Sequence, residues 1–203
     1  HMTIVDKWGN VVSMTTTVES GFGSWHMAKG FILNNQLTDF NVAPTDGAGV
    51  PIANRVQAGK RPRSSMAPTL VFKQAADGSM GDFVMGTGSP GGATIIQFVV
   101  KTLVGVIDWG LDAQQATSMV DFGAGNSATT NVGIEHPNII TTNSGADDPL
   151  ISGLRALGHT VTGTTAQSSG ISTIVRITRD DGRPAWAGGA DPRREGLVLG
   201  DGF

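Results

Sequence analysis

The stretch DFVMGTGSPGGATIIQFVVKTLVGVI, residues 82–107, predicts a strand that runs through a glycine-rich turn straight into a helix. From residue 92 to 107 the apolar residues recur with the spacing of one wide helical face. The N–H groups of a first helical turn, beside glycines that let a ligand approach closely, make an anion site. Residues 86–97 are therefore a candidate for phosphate binding or for an oxyanion hole in acyl transfer, and the plain alternative is a tight turn that needs glycine.

The glycine-rich turn does not match the common nucleotide-binding or serine-hydrolase motifs. It lacks the Lys-Ser/Thr ending of a P-loop and the G-x-G-x-x-G spacing of a dinucleotide fold. The nearest approach to a Gly-x-Ser-x-Gly elbow is Ser89 in a Gly-Ser-Pro-Gly turn. A serine hydrolase of that type is disfavoured.

Three hairpins predict antiparallel sheet around this element. The paired strand segments are 3–5 with 11–17, 69–74 with 82–88, and 172–179 with 184–190. Further helices are predicted at 111–119, where Asp112 and Gln115 match a capping box, and after Asp148, where Pro149 opens a helix that Gly158 follows. Antiparallel strand pairs with helices grouped between them predict an α+β fold, with helices layered on sheet.

Composition and charge predict one domain over residues 1–203. With 39% hydrophobic and 15% charged residues the chain can bury a core, and its net charge of −3 gives no electrostatic footprint for nucleic acid. Glycine is about twice as frequent as usual, at 29 residues, so many turns are expected. The glycine-, asparagine- and proline-rich segments 20–68 and 120–147 are predicted to be long loops of functional importance.

Several classes of site and location are disfavoured. The chain has no cysteine, and His26, His136 and His159 have no metal-ligand spacing, so we expect no thiol nucleophile, no metal and no cofactor. The longest apolar run, 95–107, is too short to span a bilayer. No secretory signal peptide begins the sequence.

Two polar segments are further candidates for ligand binding. Ser64 and Ser65 lie in a proline-stiffened loop, where adjacent hydroxyls could bind a carboxylate or phosphate or be ordinary loop serines. Gln36 and Asp39 are three residues apart, so a helical turn would point both to one side, where they could hold an ammonium group. An Asx-turn or helix cap is the commoner use of such residues.

The threonines at 15–17 are typical of a strand. In an extended segment Thr15 and Thr17 share one face, and Glu19 continues that face. The role of a hydroxyl or carboxylate group in this segment therefore depends on which face of the strand it lies on.

Taken together, these segments resemble the small subunit of the gamma-glutamyltranspeptidases, an N-terminal-nucleophile hydrolase family. Five motifs carry the resemblance: VDKWGNVVSMTTTVESGFGS at 5–24, GFILNNQLTDF at 30–40, GKRPRSSMAPTLVF at 59–72, TGSPGGATIIQ at 87–97 and DPRREG at 191–196. They occur in the family's order and cover nearly the whole chain. Several motifs in order are far more specific than any single one.

The resemblance implies an αββα sandwich, with antiparallel sheets between helical layers, and a precursor that cuts itself into a large and a small subunit. The new N-terminal threonine attacks the gamma-glutamyl amide of glutathione or a similar donor, with its own α-amino group as base. Water completes hydrolysis, or an amino acid or peptide amine completes transpeptidation. The implied partners are the large subunit, the donor and the amine acceptor, and the implied location is periplasmic or extracellular.

The resemblance also implies roles for individual residues. Gly91 and Gly92 would donate the N–H groups of the oxyanion hole, in agreement with the anion site above. Thr17 would hydrogen-bond the nucleophile. The residues implied to bind the substrate are Ser64 and Ser65 for its α-carboxylate, and Glu19, Gln36 and Asp39 for its α-ammonium.

The sequence departs from the family pattern in three ways. Many members carry Asn where Glu19 stands, and an arginine that pairs with the substrate carboxylate lies on the family's large subunit. The family's nucleophile belongs two residues before His1, since family small subunits often start Thr-Thr-His. His1-Met2 is either the end of that motif or a cloning remnant. Thr3 lies too far along to replace the nucleophile, so we expect these 203 residues alone to be inactive.

Three alternatives remain at this point. A close relative that deacylates glutaryl cephalosporins would share most of the motifs. A noncatalytic module could hold a phosphate or nucleotide at GTGSPGG, residues 86–92. A structural domain would use its glycines only for turns.

Overall fold

The computed structural model describes residues 1–124, 127–133, 148–164 and 169–200, with only the backbone described at 163 and 164. These residues belong to two compact units, His1–Thr15 with Met66–Phe203, and Thr16–Ser65. The single domain over 1–203 stays a prediction. His136, in the predicted loop 120–147, lies outside the described residues.

The elements follow each other as strands and helices of moderate length. In chain order they are β1 (Met2–Val5), β2 (Val11–Met14), β3 (Met27–Ala28), β4 (Phe31–Ile32), β5 (Thr69–Gln74), β6 (Met80–Gly88), α1 (Ile95–Ile107), α2 (Ala113–Ser118), β7 (Phe122–Gly123), β8 (Thr129–Gly133), α3 (Pro149–Ala156), β9 (Thr160–Thr164), β10 (Ser172–Thr178) and β11 (Pro184–Ala190). Two 3-10 helices span Gln36–Asp39 and Gly92–Thr94. The mixture of strand pairs and helices confirms the α+β class.

A four-stranded antiparallel sheet is the centre of the larger unit, in the order β11-β10-β6-β5. It contains two of the predicted hairpins, β5–β6 and β10–β11, which pairing between β10 and β6 joins. The inner part of β6 is continuously buried from Met85 to Gly88, which places the strand's end inside the unit.

The third predicted hairpin, β1–β2, is also confirmed. Its turn is closed by Asp6, whose Oδ1 accepts the N–H groups of Trp8 and Asn10 at 2.9 Å each. One face of the hairpin lies against β6, where Ser13 Oγ donates to the carbonyl oxygen of Thr87 at 3.2 Å.

The prediction that this second strand continues over residues 15–17 is wrong, because β2 ends at Met14. Glu19 has φ 73°, a left-handed conformation in which the strand's alternation of faces cannot continue. The assignment of Thr17 and Glu19 to one strand face therefore does not hold.

The three predicted helices are confirmed, with refined starts. α1 begins at Ile95 after the short 3-10 helix, and its inward face buries Phe98 and Val99. α2 has the predicted capping box, in which Gln115 N donates to Asp112 Oδ1 at 2.7 Å and Asp112 N to Gln115 Oε1 at 3.1 Å.

The third helix, α3, begins as its sequence predicts. Asp148 Oδ1 accepts the N–H groups of Leu150 and Ile151, at 2.9 and 3.2 Å. Gly158, with φ 92°, follows the helix end.

Part of the predicted loop 120–147 is sheet instead. β7 pairs with β8, and β8 pairs in parallel with β9. A small core of Val132, Ile151 and Val161 joins this sheet to α3. The parallel pair was not expected, because short strands rich in threonine and glycine show no clear alternation.

The smaller unit, Thr16–Ser65, is mostly irregular. It contains the two-residue hairpin β3–β4 and the 3-10 helix Gln36–Asp39. Side chains close its turns, as where Asp46 Oδ1 accepts the N–H groups of Ala48 and Val50 at 2.9 Å each. Phe40 is its buried aromatic residue.

None of the helices in the described residues has both the length and the apolar character needed to cross a membrane. The same part of the chain contains no grouping of three or more His, Asp or Glu residues with a geometry for a metal ion.

Candidate functional site

The glycine-rich turn between β6 and α1 contains two consecutive residues that require glycine. Gly91 has φ 135° and Gly92 has φ 58°, so a side chain at either position would strain the backbone. Gly91 is buried and Gly92 is exposed. The turn therefore exposes backbone, rather than side chains, at the start of the helix.

The backbone N–H groups of Gly91 and Gly92 donate no hydrogen bond to another described residue. They stand at the N-terminal end of the helical segment that leads into α1, where the helix dipole favours negative charge. Adjacent N–H donors of this kind can stabilise an oxyanion at hydrogen-bond distance. The strand, turn and helix agree with the sequence analysis, and the oxyanion role stays a prediction.

Strand β1 runs beside the end of β6. A Cβ atom added at Gly86 would lie 2.8 Å from Thr3 Cγ2, and one added at Gly88 would overlap the ring of His1. The two glycines thus permit a close approach of β1. The two strands run in opposite directions here, because Thr3 lies beside Gly86 and His1 lies beside Gly88.

Hydroxyl groups hold the imidazole of His1 in this position. His1 Nδ1 lies 2.8 Å from Thr15 Oγ1, and Nε2 lies 3.1 Å from Thr3 Oγ1. Ser13 Oγ lies 3.4 Å from the same Nε2. The start of β1 is therefore fixed against β2 and β6.

The smaller unit brings Gln36 and Asp39 together on one helical turn. Gln36 Nε2 donates to Asp39 Oδ2 at 2.9 Å, so both side chains point to one side, as the spacing predicts. The backbone carbonyl of Asp39 accepts Asn54 Nδ2 at 2.7 Å. Asn54 is a supporting residue that the sequence analysis missed, and its position in a long loop gave no signal.

The same turn reaches Glu19. Thr38 Oγ1 donates to Glu19 Oε2 at 3.3 Å, and Ser20 Oγ donates to the same oxygen at 2.5 Å. Asn35 joins them, since its Nδ2 donates to Ser20 Oγ at 2.9 Å. The hydrogen bond from Ser20 is the main reason why the pKa of Glu19 lies below its ordinary value, so this exposed carboxylate stays charged in mild acid.

These residues form an acidic cluster, defined as Glu19, Ser20, Asn35, Gln36, Thr38 and Asp39. Neither carboxylate in it makes an ion pair with Lys, Arg or His among the described residues. Two carboxylates without a cationic partner, held by hydroxyl and amide groups, can accept the hydrogen bonds of an ammonium ion.

Thr17, Ser64 and Ser65 also lie in the smaller unit. Thr17 Oγ1 accepts the N–H of Glu19 at 2.8 Å, which leaves its hydroxyl proton available for another acceptor. The two serines lie in a segment without regular structure, Ser64 exposed and Ser65 half-buried. Among the described residues, Ser65 makes no hydrogen bond to the acidic cluster.

A buried charged network in the larger unit was not predicted from the sequence. Lys101 Nζ donates to Asp121 Oδ1 at 2.7 Å, and Arg193 lies between Asp121 and Asp191, with its Nη1 2.7 Å from Asp191 Oδ1. All four side chains are at most 7% exposed. The signal that could have revealed it is a lysine on the inward face of an apolar helix, because a buried lysine requires a partner.

Burial and pairing act in opposite directions on this network. Burial lowers the pKa of Lys101 below the ordinary lysine value, although the charge of Asp121 opposes it. Burial alone would raise the pKa of Asp191, but hydrogen bonds from Ser169, Ile171 and Arg193 outweigh it, so the pKa is lowered. Asp191 is therefore a carboxylate whose charge the fold stabilises.

The fold is of the N-terminal-nucleophile hydrolase type, as in the solved structures that this chain resembles. The chain superposes with a TM-score of 0.76 and 28% identity on gamma-glutamyltranspeptidase from Pseudomonas nitroreducens complexed with L-DON, covering 100% of this chain and 99% of that one. A mutant gamma-glutamyltranspeptidase of Helicobacter pylori gives a TM-score of 0.75 at 28% identity, covering 96% and 99%.

The family model for gamma-glutamyltranspeptidase matches residues 1–200, and the chain belongs to this family. It is similar to the glutathione hydrolase proenzyme of Bacillus subtilis, with 36% identity over 209 residues that cover 98% of this chain. The chain spans only 30% of the length of that proenzyme.

Proposed function

We propose that the full-length protein encoded by the same gene transfers the gamma-glutamyl group of glutathione or a related amide to water or to an amine. Residues 1–203 would supply its small-subunit region as one functional domain. The observation that carries this proposal is that His1, at the start of β1, lies beside Gly88, three residues before Gly91. The N–H groups of Gly91 and Gly92 have no acceptor among the described residues. A threonine two residues before His1 would stand beside those groups.

The proposed chemistry is acyl transfer through a covalent intermediate. The α-amino group of the threonine takes the proton of its hydroxyl, and the oxygen attacks the γ-carbonyl carbon of the donor. The N–H groups of Gly91 and Gly92 stabilise the charge on the carbonyl oxygen. The C–N bond then breaks, the leaving amine takes the proton, and a gamma-glutamyl ester remains. Water or an acceptor amine attacks this ester by the same steps and releases the threonine.

The acidic cluster would recognise the α-ammonium group of the donor. Glu19 and Asp39 carry negative charge without a cation from the described residues, and Gln36 is hydrogen-bonded to Asp39 at 2.9 Å. A ligand cation here would gain charge-assisted hydrogen bonds.

The remaining roles rest on the family resemblance. Ser64 and Ser65 would bind the α-carboxylate through their hydroxyl groups, as donors to an anion. Thr17, whose hydroxyl proton is not used by Glu19, would donate it to the nucleophile. The nucleophile itself would come from outside these 203 residues, so that they are inactive by themselves.

The proposed partner of this region is the rest of the same precursor, as a large subunit. The outward face of the β1–β2 hairpin supports this, because it is apolar and exposed on adjacent paired residues. Its side chains are Met2, Ile4, Val12 and Met14, each at least 40% exposed. Contiguous apolar surface of this kind is typical of a face that another layer covers.

The test is release of p-nitroaniline from gamma-glutamyl-p-nitroanilide. We expect release by the full-length protein, acceleration by glycylglycine as acceptor, and no release by residues 1–203 alone. A full-length protein without turnover would contradict the proposed activity, and an active isolated chain would contradict the external nucleophile. Glutaryl-p-nitroanilide, which lacks the α-ammonium group, is the control, and faster turnover of it would favour the glutaryl-acylase alternative.

A further inference from the structure

The side chain of Ser89 sets the orientation of the peptide unit that carries the Gly91 N–H. Ser89 is fully buried, and its Oγ donates to the carbonyl oxygen of Pro90 at 2.6 Å. The Pro90 carbonyl and the Gly91 N–H belong to one planar trans peptide unit, so they point in opposite directions. Holding the carbonyl therefore also fixes the direction of the N–H.

Thr94 does the same for the next peptide unit. Its Oγ1 donates to the carbonyl oxygen of Gly91 at 2.7 Å. That carbonyl shares a peptide plane with the N–H of Gly92. The backbone N–H of Thr94 donates to the same carbonyl at 3.3 Å, so the shorter bond from the hydroxyl adds to a weaker one from the backbone. Since glycine has more conformational freedom than any other residue, these hydrogen bonds limit the rotation of both planes.

The buried charged network holds Ser89 in turn. Gly170 N donates to Ser89 Oγ at 3.0 Å. The residues on each side of Gly170 are both bound to Asp191 Oδ2, with Ser169 Oγ at 2.5 Å and Ile171 N at 2.9 Å. A connected set of hydrogen bonds thus runs from the carboxylate of Asp191 to the glycine-rich turn.

We propose that Ser89 and Thr94 are positioning residues that aim the two oxyanion-hole N–H groups, one residue for each peptide plane. This inference rests on the proposed function, which makes Gly91 and Gly92 the donors. Their hydroxyls do not touch the reacting atoms. They keep the donors in place before the oxyanion forms, so that no reorientation is needed during the reaction.

The test uses Ser89→Ala and Thr94→Val in the full-length protein, with gamma-glutamyl-p-nitroanilide as donor. We expect kcat to fall about 10- to 100-fold in each variant, less than or comparable to deletion of an oxyanion donor, while KM stays within about twofold. Thr94→Ser keeps the hydroxyl and should restore kcat. Rates are normalised to cleaved subunit on a gel, so that a defect in self-cleavage does not enter kcat.

Two matched controls separate positioning from a general loss of stability. Thr102→Val removes a buried hydroxyl from α1, the helix that follows Thr94, where Oγ1 donates to the carbonyl of Phe98 at 2.9 Å. Ser152→Ala removes a serine hydroxyl that donates to the carbonyl of Pro149 at 3.3 Å. Both should keep kcat within about twofold of the unmodified protein, because neither carbonyl belongs to an oxyanion-hole peptide unit.

A second measurement is affinity for a boronate analogue of the gamma-glutamyl group, which forms a tetrahedral adduct with the nucleophile. Its affinity should fall with kcat in both variants, while inhibition by glutamate, which forms no such adduct, is unchanged. Wild-type kcat in Ser89→Ala and Thr94→Val, or an equal loss in Thr102→Val, would overturn the positioning role while the proposed function stands. A full-length protein without turnover would remove the proposed function and this inference with it.

Discussion

Two groups of charged residues in this chain differ in whether the chain supplies partners of opposite charge. The buried network in the larger unit pairs Lys101 and Arg193 with Asp121 and Asp191, so its formal charge is zero. The acidic cluster in the smaller unit carries the charges of Glu19 and Asp39 and has no cation from the described chain. The charges of the buried network balance each other, whereas the acidic cluster is proposed to bind a cation from the substrate.

The difference shows how to distinguish a structural charge from a binding charge. At most 7% of each side chain is exposed in the buried network, where an unpaired charge would cost several kcal/mol, so the chain supplies the partners. Glu19 is exposed and Asp39 half-buried, so water can solvate both carboxylates. Substitutions should accordingly change stability in one group and substrate binding in the other.

The largest effect is expected from Asp191→Ala, on stability. It removes the partner of Arg193 and the acceptor for Ser169 and Ile171, so the free energy of unfolding should fall by about 3–5 kcal/mol. Urea denaturation of the full-length protein measures this. Asp82→Ala is the control, since the Asp82–Arg176 pair is largely exposed and should contribute at most about 1 kcal/mol. Equal losses of unfolding free energy in both variants would contradict the distinction between a buried structural charge and an exposed one.

The next effect is expected from Asp39→Asn, on catalysis. The amide keeps the size of the side chain but loses the charge that would bind the α-ammonium group, so kcat/KM for the gamma-glutamyl donor should fall about 100-fold. Unfolding stability should stay within about 0.5 kcal/mol, as for surface substitutions. The matched control is Asp46→Asn in the same unit, whose side-chain oxygen can still accept the turn N–H groups. A similar loss in that control would point to the unit's fold rather than to ligand binding.

A smaller effect on unfolding stability is expected when the pH is lowered. Because the pKa of Asp191 is lowered in the folded protein, the unfolded chain binds a proton between that pKa and the ordinary value near 4, and the folded chain does not. Stability should therefore decrease as the pH falls below about 4, by at most about 1.4 kcal/mol per pH unit from this group. Unfolding curves at several pH values measure the slope. Asp191→Asn should have a shallower slope, and an unchanged one would assign the acid sensitivity to other groups.

The smallest effect is expected from Glu19→Gln. The side chain is exposed, so losing its charge should raise the donor KM only about threefold to fivefold, the range of an exposed ion pair. Glu19→Asn should give the same KM but a more stable protein, because Asn tolerates the φ of 73° at this position better than Glu. Steady-state kinetics and melting temperatures measure the two properties. A change in kcat without a change in KM would contradict a role in donor binding.

Much of the fold was predictable because it depends on residues that are close together in the sequence. Hairpin turns such as Asp6 to Asn10 and the capping box of Asp112 and Gln115 depend on residues a few positions apart, and all formed as expected. The side chains of Gln36 and Asp39 met on one turn for the same reason. In contrast, the parallel pair of β8 and β9 depends on partners about 30 residues apart and left no local pattern.

The parts that escaped prediction are those in which distant residues meet. Lys101 and Asp121 are 20 residues apart, and Arg193 joins them from near the end of the chain, so no spacing rule could connect them. The hydrogen bond from Gly170 to Ser89 spans 81 residues. The prediction of a strand through Thr17 was wrong. The β-propensity of the threonines favours a strand, but β2 ends at Met14 and Glu19 adopts a left-handed conformation.

The most direct test of the central claim compares two donors in two proteins. The kcat/KM values for gamma-glutamyl-p-nitroanilide and glutaryl-p-nitroanilide are measured with the full-length protein and with its Asp39→Asn variant. The acidic cluster predicts a preference of about 100-fold for the glutamyl donor in the first protein and little preference in the variant, with glutaryl turnover unchanged. An undiminished preference in the variant, or an equal loss with both donors, would contradict the claim that this cluster binds the ammonium group.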